Sequence, residues 1–95
     1  MNKRGFVYIL TNKHNTTFYT GVTSELKKRI WQHRNNFVEG FTQRYNLHKL
    51  VYYEIFDSIG EAIKREKYIK GKKRQYKITL IEKDNAEYED LYKDL

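Results

Sequence analysis

GFVYILTNKHNTTFYTG, residues 5–21, reads as two strands folded back on one another. GFVYILT (5–11) is rich in β-branched and aromatic residues, the composition that suits a pleated, half-buried surface. Asn12 to Asn15 contain the turn formers, and TTFYTG (16–21) reads as the returning strand of a hairpin. A helix is expected from Thr23 or Ser24, with Glu25 in its first turn, where the dipole favours an acid. It should end near Asn35 and Asn36.

Working outward, FVEGFTQRYN (37–46) predicts a loop with a short helical turn. HKLVYYEIF (48–56) is a third strand, apolar enough to be placed at the centre of a sheet. SIGE (58–61) has the Ser-x-x-Glu form of a capping box and opens a helix through about Lys70, with Gly71 as its break. A further helix is expected from about Lys73 to Lys83, where Ile78, Leu80 and Ile81 supply an apolar side. The order β-β-α-(α)-β-α-α predicts an α/β (α+β) fold, a three-stranded sheet flanked by helices. No proline, low-complexity linker or internal repeat marks a boundary. The expectation is therefore one domain over 1–95, with a core at 5–83 and an acidic C-terminal segment at 84–95.

Composition narrows the function classes. With 39% hydrophobic and 33% charged residues, the chain suits a folded soluble protein rather than a disordered one. No apolar run has bilayer-spanning length, and MNKRGFVYIL is too short in apolar residues for a secretory signal. The absence of cysteine excludes a disulfide framework and a thiolate metal site. A cytoplasmic protein with no membrane partner is the expectation. The net charge of +7 is unevenly spread. Positions 64–77 (KREKYIKGKKRQYK) carry eight Lys or Arg against one Glu, whereas 82–95 carry six acids against two lysines. A localised basic field of this kind serves polyanions, nucleic acid above all, although a solvated helix face has the same composition. Nine tyrosines add stacking and phosphate-bonding groups.

Four features fit a purely structural role poorly. On a helical wheel with Leu26 at zero, Ile30 falls at about +40°, His33 at about −20° and Arg29 at about −60°. His33 thus shares the apolar face and Arg29 borders it; such a histidine is more often a satisfied core residue. In the helix after SIGE, with Ala62 at zero, Ile69 falls near −20° and Glu66 near +40°. A carboxylate facing a core is costly unless it is paired or binds a metal, and the neighbouring bases point mostly the other way. Tyr8 and Tyr19 sit on strands that should pair. Gly21, read as lying between strand and helix, is either a turn glycine or a place where a phosphate can approach the backbone.

The order of these residues resembles the GIY-YIG nuclease family. FVY (6–8) stands where that family has GIY, YTG (19–21) stands where it has YIG, and Arg29, His33 and Glu66 follow in the family's order. The resemblance covers nearly the whole chain. It is closest to small stand-alone bacterial members, similar to the amino-terminal nuclease domain of UvrC, and LVYYE (50–54), AIKREKYIK (62–70) and KITLI (77–81) resemble their second half. Two positions depart from the pattern: Val22 stands where UvrC-like domains have a lysine, and Gln75 or Lys77 where many relatives have an asparagine.

The resemblance implies an endonuclease that hydrolyses nucleic-acid phosphodiester bonds with one divalent metal, Mg²⁺ or Mn²⁺. DNA is the preferred substrate over RNA, in repair or processing, with room for a protein partner that supplies specificity. It implies Tyr8 and Tyr19 as the motif tyrosines, Arg29 facing the phosphate, His33 at a position that is His or Tyr in relatives, and Glu66 as the metal ligand. A hard divalent ion needs oxygen ligands and keeps several waters, so one carboxylate can suffice. Positive charge from Arg29 and the metal is expected to favour the Tyr8 phenolate. Tyr8 or His33 is expected to take the proton of the attacking water, Tyr8 being the preferred base with His33 orienting it, while Tyr19 orients the water. Gly21, Lys27, Lys28, Arg44, Lys72, Lys73, Arg74 and Lys77 are expected to meet the nucleic-acid backbone. The alternative is a non-catalytic module that binds DNA or RNA on the same fold. A less favoured third is a protein-interaction domain whose acidic tail covers its basic face.

Overall fold

The computed structural model describes residues 3–38 and 40–95; Glu39, within the ambiguous 37–46 stretch, lies outside the described residues. The elements are β1 (Gly5–Thr11), β2 (Phe18–Thr23), α1 (Leu26–Arg34), α2 (Phe41–Arg44), β3 (Lys49–Phe56), α3 (Ile59–Lys70) and α4 (Arg74–Asp84), followed by a 3₁₀ turn, Leu91–Asp94. The three strands form one antiparallel sheet in the order β2-β1-β3. The expected α+β architecture is what the chain forms.

The strand expected at the centre is an edge. β3 lies outside and β1 is central. The reason is that β1 is buried on both faces, so it needs apolar residues at successive positions rather than at alternate ones. Tyr8 and Leu10 face a core completed by Leu26 and Ile30 of α1, Leu47 and Leu50. Val7 and Ile9 face the opposite way, onto Ala62 and Ile69 of α3 and Ile81 of α4. β3 leaves Ile55 exposed, as an edge strand can.

Element ends shift for local reasons. β2 runs on to Thr23, which pairs with Phe6, and the Thr23 hydroxyl accepts the Glu25 N–H at 3.0 Å. The helix therefore starts at Leu26, and Glu25 is its N-cap rather than a first-turn acid. Asn36, with φ 58°, takes the left-handed conformation that asparagine tolerates at a helix end. Ser58 caps α3 as expected, its hydroxyl accepting from Glu61 N. Arg65 of α3 ties the second layer together: it donates to both Glu54 carboxylate oxygens at 2.9 and 3.0 Å and to the Tyr76 hydroxyl at 3.3 Å.

The end of the acidic segment is anchored on the α1 side of the sheet. Asn85 donates to Val51 O at 3.0 Å, and Asp90 accepts from Leu50 N at 3.3 Å while its other oxygen pairs with Arg34 of α1. Leu91, Tyr92 and Leu95 pack on the α1 side of the sheet. The end of the segment thus lies on the α1 side, while Tyr88, nearer its start, stacks on Phe18, the ring over which Arg74 of α4 stands.

Candidate active site

The register of the hairpin places Gly21 directly opposite Tyr8. A Cβ at Gly21 would stand 2.4 Å from both Cζ and Oη of Tyr8 and 2.9 Å from Cε2 of Tyr19. The missing side chain is the space in which the Tyr8 phenol lies. Gly21 is thus inside β2, not in a turn before the helix, because the strand continues two residues beyond it.

α1 brings His33 to the two tyrosines. The His33 ring centroid is 5.8 Å from those of both Tyr8 and Tyr19, which are themselves 6.3 Å apart. Tyr8 and His33 are each only 2% exposed. Tyr8 Oη lies 3.0 Å from His33 Nε2, and His33 Nδ1 lies 3.0 Å from Thr42 Oγ1 of α2. A phenol is a stronger hydrogen-bond donor than a neutral imidazole, and an imidazole nitrogen the stronger acceptor. Tyr8 therefore donates to Nε2, and Nδ1–H donates to the Thr42 hydroxyl.

Electrostatics favour this protonation pattern. Burial, reinforced by the Arg29 and His48 charges, holds His33 down at about 4, so its ring is neutral at pH 7. Burial, with Tyr19 and Glu66 acting in the same direction, raises the Tyr8 phenol well above 10. Arg29 does favour the phenolate, but desolvation outweighs it. Arg29 alone therefore does not make Tyr8 a ready phenolate: without a metal the resting phenol keeps its proton. Arg29 is half-buried and lines a small polar recess with Thr23 and Gln32.

Glu66 of α3 is only 8% exposed, in the apolar arc where the wheel placed it. It has a partner: Lys70 Nζ stands 2.8 Å from Glu66 Oε2. That ammonium also lies 5.6 Å from the centre of the Tyr19 ring, linking α3 to the tyrosine pair. Mg²⁺ is commonly held by one or two carboxylates, its remaining positions filled by water and substrate phosphate. A single hard carboxylate beside phenol oxygens suits that chemistry. No cluster of three His, Cys, Asp or Glu with metal-binding spacing occurs among the described residues, so a zinc-type ligand set is not what Glu66 belongs to.

The expected backbone-contacting residues are spread over several surfaces. Lys27 and Lys28 are exposed on the outer side of α1, Lys28 at 4.0 Å from Glu25. Arg44 lies over the Tyr45 ring at 5.6 Å. Lys72 lies over Tyr68 at 4.6 Å, Arg74 over Phe18 at 4.6 Å, and Lys73 caps α4. Lys77 is turned inward: its ammonium donates to Lys72 O at 3.0 Å, and burial lowers its pKa. A hollow of about 720 Å³ is lined by Phe6, Trp31, Tyr53 and Ile55, and Lys27 and Lys28 form part of the same wall.

Three residues near the site have no role that the sequence alone suggests. Thr42 falls in a stretch without periodicity, and nothing in its neighbourhood signals a histidine partner. Phe41, whose ring is 6.4 Å from that of Tyr19, is hidden for the same reason. Lys70 is legible in principle, since residues four apart share a helix face.

Known proteins of similar sequence and shape extend these observations. The GIY-YIG catalytic domain family matches residues 4–79. A UPF0213 protein of Clostridium perfringens is 39% identical over 90 residues, covering 95% of this chain and 96% of that protein. A UPF0213 protein of Staphylococcus saprophyticus is 40% identical over 76 residues, covering 80% and 92%. The solution structure of a UPF0213 protein from Bacillus halodurans superposes with a TM-score of 0.57 at 30% identity, over 92% of each chain.

Proposed function

This chain belongs to the GIY-YIG family, and from that premise we propose that it is a divalent-metal-dependent endonuclease that hydrolyses phosphodiester bonds, DNA being the preferred substrate. The observation that carries the reading is the buried hydrogen bond between Tyr8 and His33, with Tyr19 beside both rings and the charges of Arg29 and Glu66 acting on Tyr8. A purely structural tyrosine–histidine pair has no need of an arginine and a carboxylate near it.

The protonation pattern supports a two-step relay. Tyr8 Oη takes a proton from the attacking water as its own proton passes to His33 Nε2, so the phenol never has to exist as a free phenolate. The neutral ring of His33 presents its Nε2 lone pair to that proton. Because burial and Arg29 make it a weak base, the negative charge of a bound phosphate is what would raise its affinity for the proton. Tyr19 orients the water, and Arg29 binds the non-bridging phosphate oxygens as charge builds on them. Glu66 would hold Mg²⁺ or Mn²⁺, whose contribution when bound is Lewis-acid polarisation of the phosphate and stabilisation of the leaving oxygen. Gly21 serves by admitting the Tyr8 phenol. Lys27, Lys28, Arg44, Lys72, Lys73 and Arg74 serve the backbone as sequence-independent contacts, with Lys77 contributing less because its ammonium is held by Lys72 O.

The test is a cleavage assay on supercoiled plasmid and on labelled single-stranded, duplex and branched oligonucleotides, each with Mg²⁺, Mn²⁺ or chelator. Metal-dependent cleavage that falls at least about a hundredfold in Tyr8→Phe is the expected result, the lower range for a positioned base. Salt-dependent binding without cleavage of any form would replace the enzyme with a nucleic-acid-binding module.

A further inference from the structure

Beyond Tyr19, a row of aromatic rings leaves the site. The Phe41 ring lies 6.4 Å from Tyr19 at an interplanar angle of 30°, and Tyr45 follows 4.8 Å from Phe41. Phe41 and Tyr45 are 46% and 44% exposed, although α2 could have presented polar side chains there. The row ends at a polar cleft of about 610 Å³, of which Tyr45 forms part of the wall.

The cleft lies where the β1–β2 turn, the end of α1 and the start of β3 meet, and Lys13, His14, His48 and Lys49 line it. Its acid, Asp90, is already committed. One oxygen pairs with Arg34, and the other accepts from the backbone N–H groups of Leu50 and Tyr92 at 3.3 and 3.1 Å. Neither Lys13 nor Lys49 takes part in the ion pairs among the described residues. The balance of charge in the cleft is therefore positive. On the other side of Tyr19 stand Lys70 and, over Phe18, Arg74. Cations thus flank the tyrosines, and the exposed rings of Phe41 and Tyr45 lead from Tyr19 to the cleft.

We propose that this cleft is a nucleotide subsite, which takes a phosphate and the adjoining unpaired base of the strand flanking the scissile bond. Lys13 and Lys49 neutralise the phosphate, and Tyr45, with Phe41 behind it, stacks on the base. Its volume lies in the range of small-ligand pockets. Aromatic stacking is tolerant of base identity and needs a base face that pairing in a duplex conceals. A duplex backbone lying across the same surface would use the lysines and leave the rings idle. The subsite deepens the nuclease reading and rests on it, because it is the Tyr8–His33 centre that makes the flanking strand pass this way.

The experiment measures binding of a fluorescent single-stranded oligodeoxynucleotide and of its blunt duplex, without metal, across a salt series. The proteins are the wild type, Tyr45→Ala, Tyr45→Phe and the double variant Lys13→Ala/Lys49→Ala, each checked for folding by circular dichroism. Tyr45→Ala should weaken single-strand binding by roughly 5- to 100-fold, the span expected of one stacked base, and duplex binding by much less. Tyr45→Phe should restore it. The double variant should flatten the single-strand salt slope by up to about 0.7 for each phosphate it no longer neutralises. Unchanged single-strand affinity and slope in these variants would overturn the subsite even if the wild type cleaves. Equal losses on single strand and duplex would overturn the unpaired-base assignment. Normal subsite behaviour in a protein that cleaves nothing would leave the subsite standing and remove the nuclease reading. No binding of either probe by the wild type would remove the subsite.

Discussion

Lys70 Nζ and Glu66 Oε2 form an ion pair at 2.8 Å, one turn apart on α3, with the carboxylate nearly buried and the ammonium half exposed. The pair allows Glu66 to lie in an apolar arc without an uncompensated charge. A divalent ion on Glu66 would have to compete with Lys70 for the same oxygen. Two outcomes follow for Mn²⁺ binding, measured by titration calorimetry or electron paramagnetic resonance. Glu66→Ala should abolish binding and cleavage while the protein stays folded. Lys70→Met should tighten Mn²⁺ binding, since it removes the competing cation. Full activity in Glu66→Ala would remove the metal assignment.

His33 makes stability depend on pH. Its folded-state pKa is depressed to about 4 from an ordinary 6.5. Between those values the unfolded chain binds the proton and the folded chain does not, so stability falls as pH drops from about 6.5 to 4 and is unaffected by this group above 7. The loss is on the order of 3 kcal/mol at its fullest, from the size of the shift. Urea melts at pH 7, 5.5 and 4.5 measure it, and His33→Gln should flatten that acid limb. The same depression predicts a cleavage rate without a rising limb near pH 6.5; a limb there that vanishes in His33→Gln would show an ordinary imidazole.

Thr42 accepts from His33 Nδ1–H and so fixes the tautomer whose Nε2 lone pair faces Tyr8. Thr42→Val keeps the shape and removes the partner. The expected cost is about a five- to thirtyfold loss in rate, from one weakened buried hydrogen bond of about 1–2 kcal/mol, with recovery in Thr42→Ser. Nitrogen chemical shifts of the His33 ring report the tautomer directly. A wild-type ring protonated on Nε2 would reverse the direction of the relay.

Much of the candidate site is legible in the sequence alone because its residue types have a readable spacing. Tyr8 and Tyr19 sit on paired strands, and His33 and Glu66 declare themselves by facing apolar arcs of their helices. What escapes has physical causes. β3 reads as central because LVYY is as apolar as a buried strand, whereas only pairing partners reveal that β1 takes that place. Charged neighbours alone suggest a lowered Tyr8 pKa, but burial, the larger effect, is a property of the packed chain. Thr42 and Phe41 reach the site only through the fold of an aperiodic segment.

The basic block offers a test on the opposite side of the site. Lys72 and Arg74 are held over aromatic rings and Lys73 stands at the start of α4, so all three present charge at one end of the α3–α4 layer. Neutralising them together should flatten the log–log salt dependence of duplex binding by up to roughly 0.9 for each phosphate left without its cation. An unchanged slope would mean that the block faces solvent in the complex. Lys77 should add little, since its ammonium is engaged by Lys72 O.

Two glycines separate stability from catalysis. At Gly5 a Cβ would stand 2.5 Å from Ala62 Cβ and 2.9 Å from backbone atoms of Ile59 and Ser58. Backbone at a helix start cannot give way locally, so Gly5→Ala should push α3 off the sheet and cost about 1–3 kcal/mol of overpacking. At Gly21 the obstacle is instead the phenol of Tyr8, at 2.4 Å, with Tyr19 behind it. Gly21→Ala can be accommodated only by moving the ring that carries Oη, and Oη must stay 3.0 Å from His33 Nε2 for the proton to pass. Its loss in rate per folded molecule should therefore be large, about a hundredfold, the lower range for a positioned proton-transfer group. Gly5→Ala should lose stability while each folded molecule stays active. Chemical denaturation together with initial rates, corrected for the folded fraction, separates the two. A Gly21→Ala protein with an unaltered rate would mean that the Tyr8 hydroxyl takes no part in the reaction.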